Sequence, residues 1–267
     1  MANFYFKQFT VRQTGAAMKV NTDGVLLPAW VAPHFVQGHE TTMEIFPYIL
    51  DAGSGTGVIS LIMAQRCQAL YKNFRIEAID VDKESYMESS YNFSVSKWSG
   101  NLTARHISLQ QMALERESLG LFDMVLSNPP YFTNSLKAPC ERRTIARHNT
   151  TLPLAELLES SFLLLKNGGV LAVILPSQEG EELISLVNDN NMFSVQRICK
   201  VRTVVGKDPK RYMMELRKVG AGSIPKEPPP AVCHQLVMQQ SGGIKYTGEY
   251  VNLVKDYYLK EFEVASD

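Results

Sequence analysis

From about residue 45 to about residue 205, short apolar runs alternate with segments of helical spacing, and few folds accommodate that alternation. Residues 45–50, 75–80, 104–107, 122–127 and 170–175 read as strands, and 58–71, 84–96, 155–165 and 181–187 as helices. The run 170–175 is continuously apolar, as a strand covered on both faces is. Strands joined by crossover helices form a mostly parallel sheet with helices on both faces. With two more strands at 195–205 and 211–218, the expectation is a seven-stranded Rossmann-like α/β fold. Asn167-Gly168-Gly169 reads as the left-handed end of the helix before it.

The flanks are read by composition. Residues 220–230 are rich in Gly and Pro and read as a loop, followed by a strand at 235–239 and a helix at 249–262. Residues 1–44, with a Thr22-Asp23-Gly24 turn, read as an N-terminal extension on the core. The expected organisation is one domain: extension 1–44, core 45–218, and a C-terminal loop, strand and helix over 219–267. Cys67, Cys140, Cys199 and Cys233 show no metal-site or C-x-x-C spacing, so they read as reduced thiols, and no metal site is expected. The chain begins with no basic region followed by an apolar run, and no stretch approaches the ~18 apolar residues of a membrane helix. A cytoplasmic location without membrane attachment is expected.

The first strand runs directly into Asp51-Ala52-Gly53-Ser54-Gly55-Thr56-Gly57, which opens the first helix. In open α/β sheets ligands bind outside the carboxyl ends of the strands, where glycines let the backbone approach closely and a helix N-terminus favours negative charge. The spacing is G-x-G-x-G, so the dinucleotide fingerprint fails, and no Lys-Ser/Thr follows to make a phosphate loop. Asp80, at the end of the second strand and 23 residues beyond Gly57, stands where a carboxylate accepts from ribose hydroxyls. Without a ligand, the loop would be a tight strand–helix turn, and Asp80 a helix cap beside the better-placed Asp82.

Asn128-Pro129-Pro130-Tyr131 follows the fourth strand and is the most specific signal in the chain. An exocyclic amino group conjugated to a ring is a poor nucleophile. Two acceptors aimed at its hydrogens, the Asn128 side-chain oxygen and the Pro129 carbonyl, draw the nitrogen toward tetrahedral geometry. The prolines stiffen the loop, and Tyr131 offers a face for stacking. The alternative is a Pro-rich turn initiated by Asn.

Together the two loops resemble those of S-adenosylmethionine-dependent N-methyltransferases with an NPPY loop. The segments Phe4-Tyr5-Phe6-Lys7-Gln8-Phe9, Met18–Leu27, Ala146–Leu152 and Tyr250–Phe262 resemble the bacterial valine-tRNA adenine-N6 methyltransferases, which modify the adenine immediately 3′ of the anticodon. The resemblance spans essentially the whole chain, with patchy similarity between about 175 and 240. It implies S-adenosylmethionine as cofactor and valine tRNA as partner. It implies that Asn128 and Tyr131 carry the substrate adenine and that Asp51, Gly53, Gly55 and Asp80 line the cofactor site. Lys19, Thr22 and Asp23 fall on the family's N-terminal motif, which lies over the cofactor pocket. Ser108 stands where members often have an Asp facing the cofactor adenine. Other acceptors for such a loop are ribosomal RNA, DNA or a protein glutamine, and a silent RNA-binding module is a rival of another class.

Lys plus Arg equals Asp plus Glu, 27 each, so an RNA partner must be met by local clustering. Eight basic residues lie between 197 and 218: Arg197, Lys200, Arg202, Lys207, Lys210, Arg211, Arg217 and Lys218. Lys137, Arg142, Arg143 and Arg147 follow the NPPY loop. Either set can neutralise phosphates around a flipped base, or be a solvated face.

Overall fold

The computed structural model of the chain describes residues 3–32, 46–130, 153–220 and 231–264. A short antiparallel hairpin of β1 (Asn3–Tyr5) and β2 (Thr10–Arg12) is followed by α1 (Thr22–Trp30). The core then runs β3 (Tyr48–Ala52), α2 (Val58–Leu70), β4 (Arg75–Asp80), α3 (Lys83–Ser94), β5 (Leu102–His106), α4 (Leu109–Met112) and β6 (Phe122–Ser127). It continues with α5 (Leu154–Leu164), β7 (Leu165–Pro176), α6 (Ser177–Asn190), β8 (Phe193–Val204), β9 (Arg211–Lys218), β10 (Val232–Gln239) and α7 (Gly248–Val254).

One sheet of eight strands in the order β10-β8-β9-β7-β6-β3-β4-β5 organises the molecule, one strand more than the seven expected. The eighth is β10, the strand expected at 235–239, which joins the sheet by pairing parallel to β8 through Val232↔Arg197 to Gln239↔Val204. Only β9 runs against its neighbours. Chain order reverses between β3 and β6, which are adjacent and parallel. That junction is the switch point where open α/β sheets bind ligands.

Successive residues along each strand enter opposite cores, because side chains alternate across a strand. Ile49, Met124 and Met213 pack on one face with α1, α2 and α7. Leu50, Val125 and Met214 pack on the other with α4, α5 and α6. Both faces are dry, which explains the unbroken apolar runs.

Four local expectations are corrected. Thr22-Asp23-Gly24 is the first turn of α1 rather than an isolated turn, because the Asn21 carboxamide caps it by accepting from Gly24 N at 2.9 Å. Asn167-Gly168-Gly169 does not cap a helix. α5 stops at Leu164, and these residues form an irregularity in β7 where Gly168 takes φ 76°. The weak strand at 104–107 lies at Leu102–His106. The C-terminal helix ends at Val254 instead of reaching 262. There the backbone turns to meet the N-terminal hairpin: Lys7 N donates to Tyr257 O at 2.8 Å, and Phe6 bridges Tyr258. Phe4, Phe6, Tyr258 and Phe262 seal that junction ring on ring. No helix among the described residues is long and apolar enough to cross a membrane.

Candidate active site

The register Ala52↔Ser127 places the glycine loop and the Asn128 loop side by side at the carboxyl edge of β3 and β6. Ser127 Oγ donates to Ala52 O at 2.9 Å and fastens the two exits together. Asn128 is 8% exposed and Pro129 is buried with it. Tyr131, Lys137, Arg142, Arg143 and Arg147 lie outside the described residues.

Gly53, Gly55 and Gly57 all take left-handed backbone, with φ of 82°, 53° and 79°, a region that costs a residue with a Cβ ~1–2 kcal/mol. Their surroundings differ. A Cβ on Gly53 would meet open space and one on Gly55 only the Met18 carbonyl at 3.8 Å, so these two leave room for a ligand. A Cβ on Gly57 would lie 2.5 Å from Phe93 Cε1, so this glycine lets the loop pack on α3.

Asp51 is fully buried at the N-terminus of α2. Its Oδ2 accepts from Ser60 N at 3.1 Å and Ser60 Oγ at 2.6 Å. Its Oδ1 has no hydrogen-bond partner among the described residues. Loss of hydration raises the carboxyl to about 7, against the pull of the Ser60 hydrogen bonds. The first turn of α2, where a helix N-terminus favours negative charge, is thus met by the chain's own carboxylate. An orphaned buried oxygen beside a glycine cradle suits a cationic donor such as an ammonium. Asp80 accepts from Gly55 N at 2.8 Å and from Asp82 N at 2.9 Å. Desolvation raises its pKa as well, while Asp82 takes the cap of α3 by accepting from Ser85 N. Ser108 caps α4 in a reciprocal box with Gln111, and its hydroxyl accepts from Gln111 N at 3.0 Å.

Residues 12–21 cross the glycine loop as a strap. Asn92, 1% exposed on α3, accepts from Arg12 N and donates to both Arg12 O and Thr56 O at 2.9 Å. Glu88, equally buried, accepts from Arg12 Nε, Gly15 N and the Thr14 hydroxyl, and these donors hold its carboxyl below the usual range despite the cost of burial. Lys19 is exposed on the strap and Thr22 begins α1. Asp23 pairs with Arg211 at 2.8 Å, joining α1 to the start of β9. Glu88 and Asn92 escaped the sequence reading. Their signal is a stripe Ser85, Glu88, Ser89, Asn92 at i, i+3, i+4, i+7 without a lysine, which is unusual for a solvated helix face.

Residues 37–200 match the methyltransferase small domain family. The chain is also 35% identical to a Flavobacterium psychrophilum protein named tRNA1(Val) (adenine(37)-N6)-methyltransferase, over 96% of this chain and 99% of that one. This is a tRNA1(Val) (adenine(37)-N6)-methyltransferase family member. A Phocaeicola vulgatus protein of the same name is 37% identical over 96% of this chain and 97% of its own. A crystal structure described as a predicted O-methyltransferase from Agrobacterium tumefaciens shares the fold at TM-score 0.60 and 16% identity, covering 88% of this chain and 96% of that one. The family fold is that of S-adenosylmethionine-dependent methyltransferases, and the Asp51 oxygen, the open glycine cradle and Asp80 fit that cofactor.

Proposed function

We propose that this chain methylates N6 of the adenine at position 37, next to the anticodon, of valine tRNA, using S-adenosylmethionine. The observation that carries this is the match to tRNA1(Val) (adenine(37)-N6)-methyltransferases along nearly the full length of both chains. The abutting of the Asn128 loop and the glycine cradle supports it. S-adenosylmethionine, when bound, supplies an electrophilic methyl on a sulfonium.

Asp51 Oδ1 would accept from the cofactor's ammonium, and Asp80 from its ribose hydroxyls. Gly53 and Gly55 let the ligand lie against the backbone. Ser108 would serve the adenine end, and Lys19, Thr22 and Asp23 would close the strap side. With the cofactor bound, the Asn128 side-chain oxygen and the Pro129 carbonyl would accept the two amino hydrogens and orient the nitrogen lone pair toward the methyl it supplies, and the proton shed by the methylated nitrogen would pass to solvent water. Asn128 is buried, so these bonds act with little competition from water. Tyr131 stacks on the flipped base.

The test uses labelled S-adenosylmethionine with tRNA, ribosomal RNA, DNA and release factor, each from a strain lacking the gene. Label in N6-methyladenosine at position 37 of valine tRNA is expected. Label in another acceptor would replace the substrate. Cofactor binding with no label anywhere would remove the enzymatic reading.

A further inference from the structure

The eight basic residues between 197 and 218 divide into two groups that their sequence does not distinguish. One group is built into the fold. Arg197 pairs with Glu215 and lies 4.3 Å over the Trp30 ring, Arg217 donates to Gly168 O at 2.9 Å, and Lys218 donates to Phe162 O and Leu165 O. Arg217 and Lys218 sit at the end of the sheet away from the candidate site, since β9 runs antiparallel from Arg211 at the site edge. Arg211 is held by Asp23, and Lys200 lies 4.9 Å from the Tyr212 ring.

The other group stands on a rim. The hairpin joining β8 to β9 carries Lys207 and Lys210, both exposed, at the carboxyl edge of β8. Arg202 shapes that hairpin by donating to Lys207 O. The turn after β10 lies beside it, because Val205 N donates to Gln239 O at 2.9 Å, and Gln240 N to Lys245 O in turn brings exposed Lys245 to the same rim. None of the three lysines has an ion pair with a described residue. Asp208 is the acidic residue of the hairpin. Pairing Ser127↔Val173 and Pro176↔Arg211 puts the start of β9 two strands sideways and three residues beyond the Asn128 exit, roughly 15 Å away at ordinary strand spacing and rise. Outward from there the sheet continues with β8 and β10, whose carboxyl ends lead to Lys207 and Lys245.

We infer that Lys207, Lys210 and Lys245 form a phosphate-binding rail for the tRNA backbone flanking the target base. This rests on the tRNA reading above. Charge complementarity carries it: net charge is zero over the chain, so attraction for a polyanion must come from a local excess of mobile cations. Three lysines with no ion pair to a described residue supply that excess, each as a point charge on a flexible stem.

The experiment measures binding of unmodified valine tRNA to the full chain between 50 and 200 mM salt, roughly the range in which phosphate contacts separate. The variants are Lys207→Gln/Lys210→Gln/Lys245→Gln combined, and Lys72→Gln, just beyond α2 at the opposite edge, as control. The combined variant is expected to bind about tenfold more weakly, with a slope of log K against log salt shallower by about 2. Its cofactor affinity and its kcat at saturating tRNA should match wild type. Unchanged affinity and slope would overturn the rail, as would an equal loss in the control. A wild-type chain that methylates a different RNA would overturn the substrate reading alone, and the same variants measured on that RNA would still decide the rail.

Discussion

On the β3–β4–β5 side of the switch point, the groups facing the site are buried and hydrogen-bonded, whereas on the β8–β10 side the rim lysines are exposed and have no ion pair with a described residue. Asp51, Asp80, Glu88 and Asn92 each hold at least two hydrogen bonds to the loop, the strap or the first turn of a helix. Lys207, Lys210 and Lys245 sit on turns in water. A small ligand whose every polar group must be matched calls for the first arrangement, because a dry, pre-set site loses little on binding. A polyanion with many equivalent phosphates is served by the second, at the cost of salt sensitivity. Asn128 stands at the boundary.

The sharpest way to break this division is at Asn128. Asn128→Ala should lower kcat by about 10³-fold, the scale of removing one preorganised hydrogen-bonding group, with cofactor affinity kept. Single-turnover rates and calorimetric titration of the same protein read the two separately, and a matching loss of affinity would move Asn128 to the cofactor side.

Two glycines test rigidity directly. Gly57→Ala drives a Cβ to 2.5 Å from Phe93 at left-handed φ, whereas Gly206→Ala, at φ 76° in the β8–β9 hairpin, meets nothing within 4 Å. The first should cost about 3 kcal/mol, from strain and overpacking together, and the second about 1 kcal/mol. Equal midpoints in urea unfolding would contradict the contrast.

Glu88→Ala strands the Arg12 and Gly15 donors and frees the strap. Cofactor affinity should fall about tenfold, within the ~1–3 kcal/mol range for unpaired buried groups. Proteolytic cleavage within residues 12–21 should quicken, while tRNA affinity stays put. Affinity unchanged beside faster cleavage would detach the strap from the cofactor.

A further test concerns pH. The Asp51 carboxyl, raised to about 7 in the folded chain, keeps a proton that the unfolded chain releases near pH ~4. The folded state therefore binds more protons between about pH 4 and 7, and this group's contribution to the stability of the ligand-free protein declines as pH rises through that window and is flat above it. Asp51→Asn should remove that decline. Superimposable wild-type and variant profiles from thermal unfolding would mean that Asp51 is not the source.

Much of the cofactor half was legible because its signals are local. The glycine loop, Asp80 and the Asn128 loop each follow a strand within a few residues, and a parallel sheet brings successive strand ends to one edge. The corrections fall where distant contacts overrule local propensity. The helix expected to 262 gives way after Val254 to pairing with the N-terminal hairpin, and the glycines expected to cap α5 instead fall within β7.

What the sequence determined by itself was the alternating αβ order, the ligand edge and the residue types of the two loops, because strand, turn and helix periodicities are short-range. Only the tertiary structure decided that Glu88 and Asn92, some 75 residues from the strap they hold, are buried acceptors rather than a solvated helix face. It alone also decided which of the eight basic residues brace the sheet and which face outward at its rim. Both depend on which strand lies beside which, and pairing between distant segments leaves no periodic mark in the chain.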